Sequence, residues 1–217
     1  MKRISCIILV LILTLVFSLP VVASSDASDI ETVRYSISAN DQQIDLLKDL
    51  WGQKMTKGEF LKMVFPKHYE QLPPEIKEYV NGMQQIWPLK PSEVEKQKSD
   101  SSETVEPKGP VVVRKDSTID NTGSLIEFES YSNVWYPPDY KVPYMEITSS
   151  LWRVSDENDV LLDFEFESAT YVKELSAAGN YYVSTPGWHM TTGVHFFEFE
   201  SGPSSWVSDS GDPIWVE

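Results

Sequence analysis

The chain has 217 residues, with 33 acidic against 18 basic side chains and a formal net charge of −15. Such a field disfavours nucleic acid and anionic lipid as partners. The single cysteine, Cys6, leaves no internal disulfide and no thiolate metal site.

Residues 1–23 have the pattern of a secretory signal peptide. Lys2 and Arg3 precede the apolar run ISCIILVLILTLVFSLP, and Val21 and Ala23 occupy the small-residue positions of a cleavage site. Cys6 lies inside the apolar run rather than at its end, so it is not placed to carry a lipid anchor. Cleavage removes Lys2 and Arg3 and no acid, which takes the net charge to −17. No second apolar stretch of spanning length follows. The expected product is a cysteine-free protein with no membrane span, secreted or held at the cell surface.

Residues 24–40 are polar and patternless, and read as a flexible arm. Short helices are expected over 41–87. Ile44, Leu47, Leu50 and Trp51 fall on one helical stripe. Thr56 and Glu59 have capping-box spacing ahead of Phe60, Leu61, Val64 and Phe65, and Pro66 stops that run. A third helix opens at Pro74 and closes at Gly82. About fifty residues with few large side chains make a marginal independent domain, so this piece calls for a partner surface, either the rest of the chain or another molecule. Residues 88–110 are rich in Lys, Glu, Ser and Pro and predict a disordered linker.

From 111 to 217 the hydrophobic period becomes two. LIEFES, YMEITSSLWRV, VLLDFEFES, NYYVS, VHFFEFE and PIWV are separated by turns such as DEND and DSGD. This spacing predicts an antiparallel β-sandwich, so the chain as a whole reads as mainly β, with a helical segment and a linker ahead of the sandwich.

In LSAAGNYYV, Leu175 stands six residues before Tyr181, with Gly179 between them and Val183 two residues after. This resembles the strand E to strand F corner of fibronectin type III and immunoglobulin-like modules. The resemblance implies an immunoglobulin-like sandwich whose tyrosine closes a corner, and it implies no activity. Val183 stands where antibody domains have their second cysteine.

The strands suggest where chemistry would sit. Asp163, Glu165 and Glu167 share one strand face against Val160, Leu162, Phe164 and Phe166. Glu127 and Glu129 repeat this against Ile126 and Phe128, and Glu198 and Glu200 against Phe197 and Phe199. The alternation predicts carboxylates outward and aromatics inward. A carboxylate-dependent glycoside hydrolase would need two such groups about 5–5.5 Å apart, one of raised pKa.

His68, His189 and His195 form no metal motif, with His195 at a strand start and His189 in a connecting loop. The Asp-rich turns fit turn chemistry as well as calcium-dependent assembly. No phosphate-cradling, dinucleotide or nucleophile-elbow motif appears, and no cofactor is implied. Trp135, Tyr136, Tyr140 and Trp188 are expected on loops at the sandwich ends. Rings of this kind bind peptide or sugar. The functional expectation is non-enzymatic binding or adhesion to an envelope protein or glycan.

Overall fold

The computed structural model describes residues 34–98 and 111–217. The expected signal peptide, most of the expected arm and residues 99–110 of the expected linker lie outside the described residues. The fold is mainly β, with antiparallel sheets. Among the described residues no helix is long and apolar enough to cross a membrane.

The chain opens with strand β1 (Arg34–Ser38), within the stretch expected to be a flexible arm. Four helices follow: α1 (Asp41–Leu50), α2 (Lys57–Val64), α3 (Pro66–Gln71) and α4 (Pro74–Gly82). The expected capping box starts α2: Thr56 N–H donates to Glu59 Oε2 at 2.8 Å, and Glu59 N–H donates to Thr56 Oγ1 at 3.1 Å. After α1 the chain turns at Gly52, whose φ of +75° is the left-handed geometry that glycine adopts without strain.

A fifth helix, α5 (Pro91–Lys98), stands where the composition predicts linker. A distant carboxylate holds it. Ser92 N–H, in the first turn, donates to Asp159 Oδ2 at 2.8 Å, and Val94 is buried. A negative group at a helix N-terminus satisfies a free amide and complements the helix dipole.

The strands then run β2 (Val112–Thr122), β3 (Leu125–Tyr136), β4 (Val142–Val154), β5 (Val160–Val172), β6 (Glu174–Tyr182), β7 (Gly187–Phe199), β8 (Gly202–Asp209) and β9 (Ile214–Val216). The larger sheet has the order β1-β5-β4-β7-β8, with β9 also paired to β7, and the smaller has β2-β3-β6. The sequence LSAAGNYYV is therefore mostly one strand. Tyr181 pairs with Ile126 inside β6, and the expected corner between two strands does not form there.

The larger sheet is covered on both faces. On one, Tyr144, Trp152, Leu161, Phe164, Phe166 and Phe196 share a core with Leu47, Phe60, Leu61, Phe65 and Val80 of the helical segment. On the other, Met145, Ile147, Ala169, Phe197 and Phe199 pack with Val134, Leu175 and Ala177 of the smaller sheet. The helices thus find their partner surface within the same chain. Every residue from Tyr144 to Trp152 of β4 is buried, as expected for a strand without a wet face.

This double cover reverses the expected orientation of the acidic strands. Phe164 and Phe166 face the helices, so Asp163, Glu165 and Glu167 face the smaller sheet. Glu165 is buried there, close under Gly179: a Cβ at that glycine would stand 2.8 Å from Glu165 Cγ. Glu198 is buried as well and shares the helix-facing side with Phe196. Glu127 is exposed and Glu129 half-buried, with Ile126 and Phe128 inside, as the alternation predicts.

One ion pair joins the helical layer to the sheet. The ammonium of Lys57, first residue of α2, contacts the Glu146 carboxylate of β4, and both side chains are almost fully buried. Tyr144 Oη donates to Glu146 Oε2 at 2.8 Å, and Lys57 Nζ lies 5.2 Å from the centre of the Phe196 ring. Removing one partner of such a pair strands the other charge in an apolar core. Lys57→Met is expected to lower stability in urea denaturation by about 3–5 kcal/mol, and the double variant Lys57→Met/Glu146→Leu to recover most of that loss.

Candidate functional site

A candidate site lies at the end of the larger sheet where β4 finishes and β7 begins. In register, Trp152 pairs with Met190, Val154 with Trp188, and Trp188 with Trp215 of β9. Trp152, Trp188 and Trp215 therefore share the helix-facing side of the sheet. Trp188 sits diagonally from Trp152, about 7–8 Å away along the backbone. Trp188 and Trp215 pack edge to face with ring centres 5.4 Å apart, yet remain 50% and 48% exposed. Trp51, which caps the C-terminus of α1, reaches Trp152 at 4.8 Å and Trp87 at 5.2 Å.

Two of these rings have their polar atoms satisfied by protein. Trp152 Nε1–H donates to Thr192 Oγ1 at 2.8 Å, and Trp87 Nε1–H to the Gln53 carbonyl at 3.1 Å. Beside them is a depression of about 250 Å³ lined chiefly by Lys48, Trp51, Lys90, Trp152, Asn158 and Asp159. Lys48 pairs with Asp45 at 3.2 Å. Asp159 gives Oδ2 to α5, while Oδ1 has no partner among the described residues. Helix end, sheet end and loop thus converge on a surface of aromatic faces edged by mixed donors and acceptors.

Of the aromatics expected on loops, only Trp188 joins this surface, and it lies in β7 rather than in a turn. Trp135 and Tyr136 are well exposed at the end of β3, with the Arg114 guanidinium 4.6 Å from the Trp135 ring centre. Tyr140 is half-buried against the core between the sheets. These three lie at the end of β3 and in its connection to Val142, where β4 begins, at the opposite end of β4 from Trp188. Ten register steps separate the pair Tyr144–Glu198 from Val154–Trp188, roughly 33 Å of strand. Trp135 and Trp188 therefore do not share one surface.

The histidines are buried in separate places. His189 and His195 both lie in β7, six residues apart on one face, about 20 Å of strand. His189 is thus in a strand rather than a loop. His195 shares hydrogen bonds with Ser132 through Nδ1 at 2.7 Å and with Ser208 through Nε2 at 2.6 Å. Ser208 continues to Ser117 at 2.5 Å, and Ser117 to Ser130 at 2.7 Å. Burial and nearby Lys115 push the His195 pKa down to about 3, so this line of hydroxyls surrounds a neutral ring. A Cβ at Gly193 would come within 2.4 Å of Ser130 Oγ, so only glycine lets the strands approach so closely here. His68 stacks on Tyr35 at 4.3 Å, and burial and nearby Lys57 lower its pKa to about 4.

Among the described residues no group of three or more His, Cys, Asp or Glu side chains could hold a metal. In the Asp-rich turns, Asp159 caps α5 and Asp209 Oδ1 accepts from Gly211 N–H at 2.8 Å.

Four strand carboxylates have raised pKa values, with burial the leading cause. Glu165 rises from 4.5 to about 7 through burial, with a Ser38 hydrogen bond opposing and the Asp163 charge adding. Asp163, Glu167 and Glu198 shift upward for the same leading reason, with Arg34 opposing at Glu167. Glu165 therefore favours folding while protonated. Its contribution is present below pH 4.5 and is lost as pH rises through about 7. The Glu165→Gln variant is expected to melt near wild type at pH 4. Its advantage should then grow toward pH 7 and level off above. Paired melting curves from pH 4 to 8 check this, since the histidine contributions are common to both proteins.

No protein-family model, curated protein or solved structure matches this chain.

Proposed function

We propose that the protein is a non-enzymatic binding or adhesion protein, exported to the cell surface or beyond, whose ligand-binding face is the tryptophan-lined end of the larger sheet. The observation that carries this reading is the half-exposed Trp188–Trp215 pair, one diagonal step in register from Trp152, which lines the depression. Large rings left in water at the end of a rigid sheet offer much contact area at little cost in conformational entropy. The net charge of −15 suits an uncharged or basic partner better than nucleic acid. Glu165 has the raised pKa that a hydrolytic acid needs, but it sits beneath Gly179 and Phe128, an enclosed place for a carboxylate that must meet a substrate.

The scaffold we assign to this function is an immunoglobulin-like sandwich. With β1 and β9 set aside, the first, second and fifth of seven strands make one sheet, and the third, fourth, sixth and seventh make the other. Constant-type immunoglobulin domains place strands one, two, four and five opposite three, six and seven. Only the fourth strand changes sheet. The helical layer and β1 are additions to that plan.

Retention of the mature protein on an insoluble envelope fraction tests the binding face. The Trp188→Ala/Trp215→Ala variant is expected to lose at least about tenfold in half-saturation, equivalent to 1.4 kcal/mol, while Trp135→Ala binds as wild type. Equal loss in both variants, or in neither, rejects this surface.

A further inference from the structure

Resting on the binding face proposed above, we infer that its ligand is a glycan chain, uncharged over the length it lays across Trp51, Trp188 and Trp215. Three features of the site point to this occupant. The first is ring geometry. Trp188 and Trp215 meet edge to face, and each leaves about half its surface open to solvent. Such rings give flat apolar faces on which the C–H side of a sugar ring can lie while its hydroxyls project outward. Trp51 adds a further partly buried ring beyond Trp152. By contact and register the rings succeed one another from Trp51 through the buried Trp152 to Trp188 and Trp215, a succession that fits a polymer better than a small molecule.

The second feature is the chemistry beside the rings. Asn158 offers an amide, Asp159 a carboxylate, and Lys48 and Lys90 ammonium groups, all around one depression. Asp159 Oδ1 has no donor among the described residues, and a buried carboxylate oxygen gains most from a hydroxyl that supplies one. Such a mixture of donors and acceptors suits hydroxyls, each of which both donates and accepts.

The third feature is charge. Lys48 is already paired with Asp45, and Asp159 stands among the remaining groups, so the rim carries no strong net field of its own. The molecule as a whole is strongly negative, which penalises an acidic polymer and leaves a neutral one unaffected. The segment of β7 that bears Trp188 is paired on both sides, by β4 and β9, so a peptide cannot add to β7 as a strand there.

The test uses the mature protein and the envelope fraction of the cell that makes it, divided into untreated, protease-digested and periodate-oxidised portions. Periodate cleaves vicinal diols and so breaks down the sugar chains that carry them, whereas protease removes protein. A glycan ligand predicts that retention survives protease and falls at least about tenfold after periodate. Loss after both treatments assigns the sugar of a glycoprotein, and is expected to be rescued when the released glycans compete in solution. Retention that survives periodate but not protease overturns the glycan and leaves the binding face standing. No retention on the untreated fraction overturns both.

Discussion

The covering of the larger sheet on both faces is the constraint from which the rest of the structure follows. A strand with one wet face alternates polar and apolar residues, whereas β4 buries every side chain from Tyr144 to Trp152. That burial requires two partners. The helical segment supplies one through Phe60, Leu61 and Phe65, and the smaller sheet supplies the other through Val134, Leu175 and Ala177. Neither partner has enough apolar surface to be stable alone, so the layers form one cooperative body.

Such double burial carries polar cost, and the chain meets part of it by pairing. On the helical side Lys57, Glu146 and Tyr144 satisfy one another, and Ser168 shares a hydrogen bond with His68 Nε2. Between the sheets, His195 and four serines form a continuous hydrogen-bonded line. A buried ion pair adds little net stability over an apolar replacement, but its absence of alternatives favours one docking geometry. The Asp159 contact with α5 works similarly, since it places Lys90 at the rim of the depression next to Trp51.

Local features were legible in the sequence wherever a few neighbouring residues decide them. The capping box at Thr56 and Glu59, the helix start at Pro74 and the strand runs after residue 111 all depend on short-range chemistry. The faces of the strands were not legible. Period two states that Glu165 and Phe166 point in opposite directions, but which direction meets water depends on helices a hundred residues away. The same holds for α5, whose polar composition predicts linker and whose anchor, Asp159, lies in a distant turn. At the candidate site Trp188 stood out in the sequence. Trp51, Trp152 and Trp215 did not, because α1, β4 and β9 meet only through tertiary pairing. A density of tryptophan at element ends, in KDLW and PIWV, was the available signal.

The resulting picture is a rigid sheet end that displays aromatic surface while its polar interior fixes the layers that frame it. The most direct test is the indole N–H spectrum of the protein, whose seven tryptophans provide separate reporters, recorded as solubilised envelope polysaccharide is added. A binding face at this sheet end predicts that Trp51, Trp188 and Trp215 shift while Trp135 and Trp206 hold still. Shifts at Trp135 with Trp188 and Trp215 unmoved would contradict it.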